Sequence, residues 1–162
     1  MEHNAILGWV AFNWRGNLMR TSTWLYPAAQ VIHFIGLCFL IGAILLVDLR
    51  LFGFFKRMSL RAALTLVPIA LAGFAVNALT GIAFFTSDPY RFWFDAAFRW
   101  KMLAIAAAGL NALWFTFAEQ KKLLALPPES AANWVTKFCA VFSIMSWFAV
   151  ILFGRLLPVY QP

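Results

Sequence analysis

One histidine, His33, lies inside a long apolar stretch and is the residue in this sequence best suited to chemistry. It shares a helical spacing with Tyr26 and Gln30, because positions i, i+4 and i+7 fall on one face of an α-helix. A polar side chain at membrane depth is costly and often marks a functional site. An imidazole can ligate a metal ion, relay a proton or pack as a hydrogen-bonded core residue. All three roles are open for His33 at this stage.

Other polar and basic residues are expected at the same end of the molecule. At about 1.5 Å per helical residue, His33 and Asn77 share a depth of roughly 12–14 Å inside their apolar runs. Lys101 begins nearer the surface, but its long side chain can reach along a bundle. A histidine below basic residues in a four-helix bundle suits a haem, since imidazole ligates iron and arginine pairs with propionates. The predicted cofactor-binding residues are His33, Lys101, Asn77, Arg99 and Gln30, with His33 as the metal ligand.

The ligand set of such a haem is open. His3, the second histidine, precedes the first apolar run, so a bis-histidine site inside the bundle is not expected. Lys101 or Met102 could be the sixth ligand, or His33 could act alone. Copper is an alternative, with His33, Cys38 and nearby methionines as donors. Cys38, however, lies five residues on and faces away from His33.

Several function classes find no support in the residues. There is no Ser-His-Asp set, no phosphate-binding glycine loop and no pair of buried carboxylates. Cys38 and Cys139 lack metal-ligand spacing and are typical of small packing residues. The net charge of +7 does not indicate nucleic-acid binding, because the basic residues lie at the ends of apolar runs. Such residues anchor helices at lipid headgroups.

The elements that would position these residues are transmembrane helices. Hydrophobic residues make up 64% and charged residues 12% of 162, too few charges for a water-facing surface. Runs of ~20 apolar residues are long enough for a ~30 Å hydrocarbon core. A mixed segment with interfacial tryptophans precedes them and predicts an amphipathic helix in the headgroup region. The predicted fold is an all-α, single-domain membrane four-helix bundle, with the interfacial helix over 4–20 and spans over about 24–47, 62–85, 98–117 and 132–153.

The first span predicts the orientation and location. Arg50, Lys56, Arg57 and Arg61 follow it, and a positively charged loop remains on the cytoplasmic side. Both termini are then outside a bacterial inner membrane. The expected partners are the lipid bilayer and, in one alternative, other subunits of a membrane complex or further copies of this chain.

Each predicted span carries one stripe of small and weakly polar residues, and we expect the stripes to face each other. Asp48 and Arg50 follow the first stripe, where they could form an interfacial ion pair or else gate a path or dock a partner. Trp114 and Trp147 are deep enough to pack in the bundle or against a cofactor. The stripes comprise Tyr26, Gln30, His33 and Gly36; Ala70, Gly73, Asn77, Thr80 and Gly81; Lys101, Ala104, Ala108, Asn111 and Phe115; and Cys139, Ser143 and Ser146.

Three segments carry a family resemblance: WLYPAAQVIHFIGLCFLIGAILLVDLRLF over 24–52, NALTGIAFF in the second span and FRWKMLAIAAAGLNALWF in the third. They resemble small bacterial four-helix membrane proteins and, more distantly, the copper-resistance D (CopD) proteins and HemJ-type protoporphyrinogen oxidases. HemJ-type proteins bind haem b and carry an early histidine and a later lysine, which His33 and Lys101 match. CopD-type proteins are linked with copper import. The resemblance implies a haem b protein acting in electron transfer or porphyrin handling; the alternatives are an accessory or scaffold subunit, or copper transport.

Overall fold

The computed structural model describes residues 18–125 and 133–157, and these residues form helices and connecting turns without strands. Four of the helical segments are long and apolar enough to cross a membrane: Leu25–Phe52, Leu60–Ser87, Ala96–Leu124 and Trp134–Leu156. They correspond to the four predicted apolar runs. The predicted interfacial helix over 4–20 lies outside the described residues, except that its last residues begin a single helical turn, α1 (Leu18–Thr21).

Helix α2 (Leu25–Phe52) is the first candidate span. The hydroxyl of Ser22 accepts hydrogen bonds from the amides of Trp24 and Leu25 and so caps its start. At its other end Gly53 has a φ of 122°, a conformation that L side chains rarely adopt. The amides of Gly53 and Phe54 both donate to the carbonyl of Leu49, which closes the helix in the manner of a glycine C-cap.

The second span consists of two helices, α3 (Leu60–Leu64) and α4 (Val67–Ser87). Ser59 caps α3 by accepting a hydrogen bond from the amide of Ala62 at 3.1 Å. Pro68 has no N–H to donate to the carbonyl of Leu64, and its ring disfavours a helical residue before it. The break between α3 and α4 therefore follows from a single proline.

The third and fourth spans start at side-chain caps. Asp88 caps the short helix α5 (Pro89–Phe94), and the Asp95 carboxylate accepts hydrogen bonds from two amides at the start of α6 (Ala96–Trp114). A π-helical turn (Phe115–Glu119) joins α6 to α7 (Gln120–Leu124). Asn133 caps α8 (Trp134–Leu156).

The spans pack as two antiparallel pairs, α2 with α4 and α6 with α8, and α2 against α8 joins the pairs. We call the half of the bundle where α2 begins, around residues 25–38, the His33 end, and the half around residues 40–52 the Asp48 end. Both hydrophobic core clusters lie at the Asp48 end. The first contains Val47, Leu51, Leu60, Leu123 and Ala140, and the second contains Leu40, Ala43 and Ala70.

The small-residue stripes face the interior with one exception. The stripe residues of α4, α6 and α8 are all buried or half-buried, as are Tyr26, His33 and Gly36 of α2. Gln30 is exposed, whereas its neighbour Ala29 is buried. Trp147 packs against a core cluster as predicted, whereas Trp114 is exposed and the prediction of a buried position for it was wrong.

Candidate functional site

The hydrogen bond between His33 and Thr80 fixes the state of the imidazole. His33 Nδ1 and Thr80 Oγ1 are 2.7 Å apart, and Oγ1 is also 2.7 Å from the carbonyl oxygen of Val76. A hydroxyl has one proton, and Val76 can only accept it. Thr80 must therefore accept from His33, so that Nδ1 carries the ring proton. The lone pair is then on Nε2, the nitrogen that a metal ion could bind.

One aromatic ring of α4 contacts the imidazole, and a ring of α2 packs against that one. The Phe84 ring lies 5.5 Å from the His33 ring in an edge arrangement, and the Tyr26 ring lies 5.2 Å from Phe84. These contacts restrict rotation of the imidazole about its bonds to the backbone. The His33 ring is thus held by one hydrogen bond and one ring contact, both from residues of α4.

Gly36 brings the α2 backbone against α4, as its place in the first stripe predicted. A Cβ atom added at Gly36 would lie 2.9 Å from Asn77 Nδ2, and one added at Gly73 would lie 2.7 Å from the carbonyl oxygen of Gly36. The space beside Gly36 is filled by α4, so it does not admit a flat ligand. Asn77 donates from Nδ2 to the carbonyl of Gly73 at 2.9 Å. Its Oδ1 is buried and has no hydrogen-bond partner among the described residues.

Lys101 is a half-buried residue of α6 at the His33 end. Its ammonium group is near Gly154 of α8, where an added Cβ would be 3.5 Å from Nζ. A larger residue at position 154 would displace this side chain. His33 lies within electrostatic range of this ammonium group. The fold therefore brings His33 and Lys101 near each other, although they are 68 residues apart in the chain.

The other predicted site residues lie at the surface of the His33 end. Gln30 and Arg99 are exposed, on α2 and α6 respectively. Met102, considered as a sixth ligand, is also exposed, and so is Cys38. The residues in direct contact with His33 are instead Thr80 and Phe84. The spacing predicted Thr80 on the stripe of the second span, but its hydrogen bond to His33 and the ring contact of Phe84 could not be read from spacing alone.

One of the expectations for Asp48, an ion pair with Arg50, was wrong. The interfacial ion pair between Asp48 and Arg50 does not form, because residues two apart on a helix point to nearly opposite sides. Arg50 is buried and its Nε donates to the carbonyl of Met58, which ties down the turn after α2. The Asp48 carboxyl turns into the bundle, where it interacts with Ser143 of α8.

Within residues 18–125 and 133–157, no three side chains among histidine, cysteine, aspartate and glutamate are grouped so as to hold a metal ion. Comparison with known protein families, curated proteins and solved structures finds no match to this chain. What the His33 end offers chemically is one imidazole with a free Nε2 lone pair, near one ammonium group.

Proposed function

We propose that this chain is a four-span protein of the bacterial inner membrane and that it binds haem b through His33. The first part is supported by the outer surface of the helices. Large apolar side chains are exposed on all four spans, for example Leu79 at 69% and Leu110 at 68%. Contiguous apolar surface of this extent is rare on a soluble monomer, and lipid is the solvent that suits it.

The hydrogen bond from His33 Nδ1 to Thr80 is the observation that favours haem. Metal-ligating histidines usually donate their second ring nitrogen to an oxygen of the protein, which sets the tautomer and orients the ring. His33 has this arrangement before any ligand is added. Haem also needs fewer protein ligands than a metal ion held by side chains alone, since the porphyrin supplies four of the iron ligands and His33 needs at most one partner.

A positive charge near His33 fits the group as well. Lys101 is near His33 and is available to a propionate or to the iron. Arg99, two residues earlier on α6, is exposed on nearly the opposite side of that helix, so its guanidinium is not directed toward His33. The haem, when bound, would supply a one-electron redox couple. The residues of the chain would bind it, orient it through Thr80 and neutralise one of its acidic groups. An electron-transfer or porphyrin-handling subunit is the role that follows.

Gln30 favours a second candidate, an accessory subunit of a larger membrane complex. Its amide is exposed about one and a half turns into α2, where lipid would leave its polar atoms without partners. A neighbouring subunit would cover it and accept or donate hydrogen bonds.

The visible spectrum of the purified protein tests the proposal. Protein from haem-replete cells should show a Soret band, and His33→Ala should abolish it. His3→Ala is the matched control, because it removes the other histidine and should leave the band unchanged. A colourless wild-type protein, or a His33→Ala variant that keeps the band, would show that haem is not bound at His33. Stoichiometric co-purification of other subunits with a colourless protein would favour the accessory role.

A further inference from the structure

Asp48 is a buried carboxyl group whose hydrogen-bonding capacity is not used up. Its side chain is 6% exposed, and its Oδ2 atom has no hydrogen-bond partner in the part of the chain that is described. The remaining interaction of the carboxyl is with Ser143. A buried acceptor without a partner destabilises the fold, and an ionisable residue at membrane depth points to a function.

Asp48 lines a groove between α2 and α8 at the Asp48 end. The groove opens on the surface of the bundle, since three of its lining residues, Leu45, Phe148 and Ile151, are exposed. A molecule dissolved in the lipid could enter it from the side. The carboxyl is the one ionisable group among the residues that line it, which are Ile41, Ile44, Leu45, Asp48, Ile144, Trp147, Phe148 and Ile151.

The size of the groove limits the ligand. Its volume is about 130 Å³. An apolar protein cavity of about 150 Å³ accommodates benzene. The groove is slightly smaller but open to the lipid on one side, so it has room for about one six-membered ring beside Trp147, while a longer tail would extend into the lipid. A porphyrin is several times too large, so this site is separate from the haem proposed at His33.

The polar group on that ring should be a hydroxyl. A hydroxyl can donate to Oδ2 and accept from a protonated carboxyl, so it satisfies Asp48 in either state. An ammonium group would bring a second charge into apolar surroundings, and the desolvation of both ions offsets their attraction. A neutral ring hydroxyl with an apolar tail is the chemistry of a membrane quinol.

We propose that the groove between α2 and α8 binds the ring of a membrane quinol, with a ring hydroxyl hydrogen-bonded to Asp48. The site lies about 22 Å along α2 from His33, at 1.5 Å for each of the residues between them. It uses none of the residues assigned to haem. The proposal concerns binding and holds whether or not the protein carries haem.

Ligand titrations on the purified full-length protein test this site. The probe is a short-tailed benzoquinol kept reduced without oxygen, and its dimethyl ether is the matched ligand that lacks donors. Quenching of tryptophan fluorescence reports binding, because Trp147 lines the groove. The quinol should bind wild type about tenfold more tightly than the ether, or better, a difference that one hydrogen bond to a buried carboxyl can supply. Asp48→Leu should bring the two affinities together.

Two further variants secure the result. Ile144→Trp fills the groove without touching the carboxyl and should weaken both ligands, which locates the binding even if Asp48→Leu does not fold. Trp147→Phe should remove most of the quenching. Equal binding of quinol and ether to wild type, or a preference that survives Asp48→Leu, would overturn the proposal. So would tighter binding of a benzylamine with the same tail, which would identify the groove as an amine site.

Discussion

Of the two nitrogens of the His33 imidazole, Nδ1 is bonded to the protein and Nε2 carries the lone pair. This division depends on Thr80, whose hydroxyl donates to the carbonyl of Val76 and accepts from the ring. Thr80 therefore acts on any ligand of His33 without touching it. Its contribution can be separated from that of the histidine by substitutions that keep the shape of the side chain.

Thr80→Val replaces the hydroxyl with a methyl group of similar size. We expect haem affinity to fall about 10- to 100-fold, the usual effect of losing the hydrogen bond behind a ligating histidine. The measurement is haem occupancy from the Soret absorbance during titration of haem-depleted protein. Thr80→Ser should restore occupancy, because it returns the hydroxyl.

Thr116→Val is the matched control for this prediction. The Thr116 hydroxyl is exposed and donates only to the carbonyl of Ala112 in its own helix. Its loss should leave haem occupancy unchanged. Similar occupancy in the Thr80→Val and Thr116→Val variants would mean that the hydrogen bond to His33 does not orient a haem ligand.

At the scale of the elements, the crossing of α2 and α4 is set by two glycines. At Gly36 and Gly73 the two backbones approach so closely that a side chain at either position would clash with the opposite helix. This crossing keeps Thr80 and Phe84 next to His33. The geometry of the site therefore depends on a contact between two glycines. A larger residue at either position would move Thr80 and Phe84 relative to His33.

Gly73→Ala should destabilise the protein. Its added methyl group would lie 2.7 Å from the carbonyl oxygen of Gly36 and 2.7 Å from the amide nitrogen of Leu40, and neither backbone atom can rotate away. Overpacking of this kind costs about 1–3 kcal/mol. The free energy of unfolding, measured by titration with a denaturing detergent, should fall by that amount, and His33 should lose haem in parallel.

Gly109→Ala provides the comparison on another helix. Nothing lies within 4 Å of a Cβ atom added at Gly109, so only the higher helix propensity of alanine remains. That change favours the fold by up to about 1 kcal/mol. If both alanine variants had the same stability as wild type, the close approach of α2 and α4 would not contribute to the fold.

The elements themselves were predictable from sequence, and their details were not. Apolar runs of sufficient length identify four spans because hydrocarbon thickness fixes the number of residues needed. The break at Pro68 and the glycine cap at Gly53 follow from local chemistry. The π-helical turn does not follow from local chemistry. It ends at buried Glu119, whose carboxylate bonds Lys122, Asn133 and Thr136 and so joins the third span to the fourth. Such a contact depends on packing between distant segments.

The candidate site was predictable in part for the same reason. Hydrophobic spacing placed His33 and Lys101 on interior faces, because a polar residue in a span avoids lipid. The spacing did not distinguish the exposed Gln30 from its buried neighbour Ala29, since that depends on which helix covers α2 at that level. The spacing also did not indicate that Oδ2 of Asp48 is buried without a hydrogen-bond partner among the described residues, because this depends on how α8 packs against α2.

At the scale of the whole molecule, the basic loop after α2 predicts the orientation. A single cysteine at position 54 should be cytoplasmic and one at position 23 external, because positively charged loops remain inside. Both positions are exposed in the structure. With Cys38 and Cys139 replaced by alanine, a membrane-impermeant maleimide should label Thr23→Cys in intact cells and Phe54→Cys only after permeabilisation.

The two positions control for each other, since each should react once the membrane is opened. The reverse labelling pattern would place both termini in the cytoplasm. Labelling of both positions in intact cells would contradict the span between them and with it the membrane topology.

The uneven distribution of the core has a consequence for how this molecule can evolve. Its two hydrophobic clusters lie at the Asp48 end, while His33, Thr80 and Lys101 lie at the other. Substitutions around the histidine that leave the contact of Gly36 with Gly73 unchanged therefore remove little of the packing that keeps the chain folded. Lineages of this protein can exchange the residues that select a ligand while retaining one stable scaffold, so that sequence divergence should concentrate at the His33 end.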